Sequence, residues 1–194
     1  MATPLATPST LIDQFLPDYQ FVERHHRRVA AEPAIVLDAA AAYRPDSDRF
    51  YCAMIGLREA PMRLFAQGNR RTPFGIDDFT LLARDRDSLV YGLVGAFWQP
   101  TYGLRPIADS DAFRHYHGTD AAKLVLAFHV RPDGAGSTVL ETETRIFCPT
   151  PATRIKFMPY WLLIRPVSGL IRQRILKAIG RQAESKDVAD IAAI

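Results

Sequence analysis

One stretch, 121–147, narrows the choice of fold more than any other. Ala121–Arg131 and Thr138–Phe147 are rich in β-forming residues and flank Pro132-Asp133-Gly134-Ala135-Gly136, a turn sequence with two glycines. Side chains alternate between faces along a strand. Leu124, Leu126, Phe128 and Val130 therefore share one face, and Lys123, His129 and Arg131 the other. On the second run Leu140, Thr142, Thr144 and Ile146 stand opposite in sense to Glu141, Glu143 and Arg145. Pairing apolar with apolar predicts an antiparallel hairpin. Its inner face is apolar with two threonine hydroxyls. Its outer face is solvated, with Glu141 and Glu143 beside Lys123, His129 and Arg131.

An apolar inner face needs a second layer, and the C-terminal part of the chain offers one. Thr150 is a good N-cap and Pro151 a good first helical position. At 3.6 residues per turn, Phe157, Tyr160, Trp161, Ile164, Val167, Ile171, Ile175 and Ile179 form one broad stripe. Arg154, Arg165 and Arg172 border it on one side, and Lys156, Arg174 and Arg181 on the other, as in a helix laid on a core. Pro159 and Pro166 predict kinks or a break. Residues 185–194 read as a loose tail.

Upstream, 1–18 reads as a flexible N-terminal segment with a short helical turn at 11–16, closed by Pro17. Tyr19–Ala30 reads as a first strand whose charged middle, Arg24 to Arg28, implies one wet face. Pro33 opens a short Ala-rich helix through Tyr43. Asp46 or Ser47 caps a second, with Phe50, Met54 and Leu57 at helical spacing and an end at Pro61. Residues 66–77 read as a loop. Phe79–Arg84 and Ser88–Trp98 form a tight hairpin, 104–108 a shorter strand, and 109–119 an irregular link. Ser88–Trp98 is apolar on both faces, which points to a covered surface such as a homodimer contact.

The 194 residues suit one domain, here 19–184. Net charge is +3 with no dense basic run, which argues against nucleic acid as a partner. The only cysteines, Cys52 and Cys148, read as reduced core thiols rather than a disulfide framework. The first ten residues lack the pattern of a signal peptide. The longest apolar stretch near the C-terminus, 157–164, is far too short to span a bilayer. A cytoplasmic protein is expected.

The order of strand, two short helices, antiparallel strands and long C-terminal helix resembles the START and polyketide-cyclase-like superfamily. This is the SRPBCC, Bet v 1-like, helix-grip group. The local likeness lies in Val29-Ala30-Ala31-Glu32-Pro33-Ala34-Ile35-Val36-Leu37, similar to the Ala-x-Pro and short-helix signature of these proteins. Leu37 stands at the position usually aromatic, and an extra Glu32 precedes the proline. Gly136-Ser137-Thr138-Val139-Leu140-Glu141-Thr142-Glu143-Thr144-Arg145 is similar to their penultimate segment. The resemblance covers about residues 20–183. It implies an α+β helix-grip fold: a curved antiparallel sheet wrapped around the C-terminal helix, with two short helices after the first strand. The group hosts carriers, receptors and cyclases, so the site has to specify the role.

Few chemical motifs stand out. His115 and His117, with Asp111 or His129, are weaker metal candidates than ordinary polar histidines. His25 and His26 point to opposite faces of a strand. Glu141 and Glu143 lie on the wet face, a poor place to separate two carboxylate pKa values. Ser168 lacks a nucleophile elbow, and Cys148 has no evident histidine partner. No metal or cofactor is expected.

The resemblance implies a cavity between sheet and helix. Its candidate lining is Phe79, Leu81, Tyr91, Leu93, Leu126, Phe128, Thr142, Thr144, Phe157, Tyr160, Trp161 and Ile164. The leading expectation is binding of a small hydrophobic molecule: a lipid, an aromatic or a polyketide-like compound. The alternatives are a cyclase or hydrolase using the same cavity, and an interaction module acting through the Arg-flanked helix. A membrane surface ranks below the small molecule as partner.

Overall fold

The computed structural model describes residues 10–44, 78–99, 101–134 and 136–192. Expectations for 1–9, for the second helix from 46 or 47, for Cys52, for the loop 66–77 and for 193–194 fall outside them. The order is a short 3-10 turn (Leu11–Gln14), β1 (Phe21–Val29), α1 (Pro33–Ala42), β2 (Thr80–Arg84), β3 (Ser88–Gly95), α2 (Ser110–Arg114), β4 (Ala122–Pro132), β5 (Thr138–Phe147) and α3 (Pro151–Ala192). The sheet is fully antiparallel in the order β1-β5-β4-β3-β2. This is the expected α+β architecture, with the long C-terminal helix on one face and α1 beside it.

The hairpin forms in the register that apolar pairing predicts. Leu124 faces Ile146, Leu126 faces Thr144, Phe128 faces Thr142 and Val130 faces Leu140. Gly134 and Gly136 take φ of +74° and +70° in the turn, a region that favours glycine. Glu32 precedes the N-terminal proline of α1. The Thr150 hydroxyl accepts from the Thr153 N–H at 3.1 Å and caps α3.

The helix is continuous across Pro159 and Pro166 and runs to Ala192, where the sequence reading ends it near 184. Residues 185–192 contain no glycine or proline to stop it. Strand β3 ends at Gly95, short of Trp98. The strand expected at 104–108 is a single bridge, Arg105 to Val94. The irregular link holds α2, whose N-cap Asp109 accepts from the Ala112 N–H at 2.8 Å.

The outer face of the sheet is not solvated as expected. It carries a core of its own: Ile12, Phe15 and Leu16 from the N-terminal segment and Phe113 from α2 pack on Val90, Val94, Val125 and Ala127. Residues 10–16 are thus strapped to the sheet rather than loose. This also explains why β3 is apolar on both sides: its second face is covered by the chain itself. Glu143 and Arg145 lie beneath the strap, both buried. Glu143 pairs with Arg24 (2.8 Å) and Arg145 (2.7 Å), not with Lys123, His129 or Arg131. Arg145 also donates to Asp13 Oδ1 (2.6 Å) and the Leu16 carbonyl (3.0 Å), and its guanidinium covers the Tyr19 ring. Glu141 lies opposite His129, as expected, and Glu143 also lies near that ring.

Candidate ligand-binding site

The inner face is built as rows of side chains running across the strands. One row is Leu81, Tyr91, Leu126, Thr144 and Glu23; the next is Leu89, Phe128, Thr142 and His25. The rows are apolar over β3 and β4 and turn polar where β5 meets β1. Phe21 pairs with Ile146 and Val29 with Thr138, so Glu23, His25 and Arg27 share the inward sense with these two apolar ends.

Glu23 is 9% exposed and His25 half-buried. Glu23 Oε1 lies 2.8 Å from His25 Nε2. The other carboxylate oxygen, Oε2, is buried and has no hydrogen-bond partner among the described residues. Buried polar oxygens are nearly always paired, and an exception calls for a functional account. The Thr142 hydroxyl makes only a long 3.5 Å contact with the His25 carbonyl. Above the pair stands Gly169 of α3. A methyl there would come within 3.3 Å of Glu23 Oε1 and 3.4 Å of the His25 ring, so glycine lets the helix backbone come close to the pair.

Apolar walls flank this strip on both sides. Phe157, Tyr160, Trp161 and Ile164 of α3 pack with Leu93 and Phe97 in one cluster. Phe157 stacks on Trp161 at 6.0 Å and meets Phe21 edge-on at 4.9 Å. Ile171, Ile175 and Ile179 pack with Leu126, Phe128 and α1 in the other. The division along α3 falls between Ile164 and Val167, just before Gly169. Phe79 touches both clusters, and Tyr91 meets Phe128 edge-on at 6.3 Å. Burial raises the Tyr91 phenol above its usual pKa, with nearby Arg44 and Arg84 opposing, so it stays a protonated donor.

Of the twelve residues expected to line the site, eleven are buried or partly buried on the inner side. Leu81, on edge strand β2 beside a register shift, is 50% exposed. Sequence reasoning missed Glu23, His25 and Gly169. The parity of β1 was available, since Phe21 and Val29 mark the inward sense; the density of charge from Glu23 to Arg28 hid it.

The other chemical candidates do not gather. Among the described residues no group of three His, Cys, Asp or Glu could hold a metal ion. Burial pushes the Cys148 thiol up to about 11, which keeps it protonated and a poor nucleophile at neutral pH. Burial likewise lowers the His129 pKa despite Glu143 and Glu141 nearby, and its ring bonds Ser88 on the outer face at 2.9 Å. Among the described residues no helix is long and apolar enough to cross a membrane.

No known protein family matches the chain, and no curated protein is similar to it. Distant likenesses exist among solved structures. A Helicobacter pylori protein shares 9% identity, with 94% of this chain and 99% of that one aligned and a TM-score of 0.36. Norcoclaurine synthase from Thalictrum flavum, solved with dopamine and hydroxybenzaldehyde, shares 11% over 97% and 98%, at 0.31. A Thermus thermophilus protein shares 10% over 88% and 99%, at 0.29. At these distances no activity or ligand carries across to this chain.

Proposed function

We propose that the protein binds a small, largely apolar molecule between the sheet and α3, and that the molecule presents a hydrogen-bond donor or a positive charge to Glu23. The observation that carries this is the buried, unpartnered Oε2 of Glu23, beside His25 and at the junction of two apolar clusters. An isolated buried carboxylate oxygen is costly, by about 1–3 kcal/mol or more. A donor group on a ligand offsets that cost, and the flanking aromatic and aliphatic side chains accept the rest of the molecule. The expected lining from Phe79 to Ile164 supports this reading, with Tyr91, Thr142 and Thr144 as further polar contacts. A helix-grip carrier or receptor in the cytoplasm suits it.

Native mass spectrometry of freshly purified protein, followed by solvent extraction, tests the reading. A reproducible adduct is expected, and Glu23→Gln should lower its occupancy about tenfold or more, the cost of one charge-assisted hydrogen bond. An adduct unchanged in Glu23→Gln would sink the assignment of Glu23.

The 2.8 Å contact favours a second reading. A carboxylate that orients an imidazole is also the arrangement of a general base. An enzyme would show the extracted compound chemically altered after incubation with wild type but not with His25→Gln.

A further inference from the structure

We propose that the outward side of the first half of α3 docks the protein on an anionic lipid surface. The helix is apolar on two sides between residues 155 and 170, yet only one side is buried. Phe157, Trp161, Ile164 and Ile171 face the sheet. Ile155, Met158, Leu162, Leu163 and Leu170 face away and are 68%, 42%, 63%, 58% and 53% exposed. At 3.6 residues per turn these five, with exposed Pro159 and Pro166 between them, form one continuous outward stripe. Contiguous exposed apolar surface of this kind marks an interaction site rather than ordinary surface.

Charge identifies the partner. Arg154 and Arg165 border one margin of the stripe and Lys156 the other; all three are exposed. None of them forms an ion pair among the described residues. From Pro151 to Ala183 there is no Asp or Glu, the first being Glu184. A two-fold dimer through this stripe would set the same patch against itself. Its cations would then meet their own copies with no acidic group on that half of the helix to answer them. An anionic bilayer supplies what the stripe lacks: apolar depth for the five side chains and negative charge along both margins. The inference does not depend on the ligand-binding reading.

Flotation of the full chain with vesicles tests it, using phosphatidylcholine alone or mixed with phosphatidylglycerol. The protein should float with the mixed vesicles at low salt, weakly with the neutral ones, and less as salt rises. Leu162→Ser/Leu163→Ser and Arg154→Glu/Arg165→Glu should each reduce partitioning about tenfold or more. Both pairs are exposed, so circular dichroism and melting should match wild type; if one pair perturbs folding, the other decides. Wild type that stays with the free protein at low salt overturns the proposal. So do variants that float as wild type does. A wild-type dimer that becomes monomeric in Leu162→Ser/Leu163→Ser would assign the stripe to a second copy instead.

Discussion

Gly92 and Gly169 face opposite sides of the sheet, and each lets a helix come close. A methyl on Gly92 would lie 2.6 Å from Leu82 Cδ1 and under 3.0 Å from the Phe113 ring, inside the outer core. Both neighbours are buried in that core, so room for the methyl has to come from repacking it. Gly92→Ala should therefore destabilise the protein by about 1–3 kcal/mol, the usual cost of overpacking, read as a lower denaturant midpoint. Gly169→Ala is a different case. Its contacts, 3.3 and 3.4 Å, are tight but not impossible, and alanine gains up to about 1 kcal/mol of helix propensity over glycine. Stability should change by less than about 1 kcal/mol, while occupancy of the adduct falls because the methyl takes the space over Glu23. A Gly169→Ala protein that keeps its adduct would separate the two roles we assign to this position.

Besides its apolar contacts, the N-terminal strap is tied down by one ion network, and that network sets an acid limit. Burial raises the Glu143 pKa, but hydrogen bonds from Arg24 and Arg145 outweigh it, and the net shift is downward from 4.5. Asp13 is likewise lowered from 3.8: its small burial pushes upward, and hydrogen bonds from Thr10 and Arg145 prevail. A carboxylate whose folded pKa lies below its unfolded value adds stability that is fully present above the unfolded value and lost as pH falls through the folded one. The strap should thus hold at neutral pH and loosen below about pH 4. Limited proteolysis near Pro17 across that range reads the change. Glu143→Gln should flatten the acid limb while lowering neutral-pH stability by about 1–3 kcal/mol; an unchanged acid limb would place the titration elsewhere. The hairpin β4-β5 was legible in sequence because its turn and both faces are local. The strap was not, because Asp13 and Arg145 are 132 positions apart and nothing in either neighbourhood names the other.

Across the molecule, one sheet serves as the shared wall of three apolar clusters, two inside and one outside. Unfolding should therefore be a single transition. Trp98 and Trp161, the only tryptophans, both belong to the Phe157 cluster. Thermal melts followed by their fluorescence and by far-ultraviolet circular dichroism should coincide. An earlier fluorescence transition would make that cluster a separate unit. The fold class was readable as a whole because periodicity of two in the middle and of 3.6 at the end leaves few two-layer solutions. The apolar part of the site came with it, since its residues are the same ones that build the core. The polar part did not. Glu23 and His25 become neighbours of Thr144 and Thr142 only through the pairing of β1 with β5.

That pairing fixes when the site can exist as well as where. Strand β1 is made before β5, its one sheet partner among the described residues; Arg24 and Glu143 are 119 positions apart. Until β5 emerges, β1 has no ladder, and the carboxylate and imidazole it carries have neither floor nor roof. A chain arrested before residue 138 carries Tyr91 of β3 but neither β5 nor α3, so the Glu23–His25 pair stays open to water until both have been made.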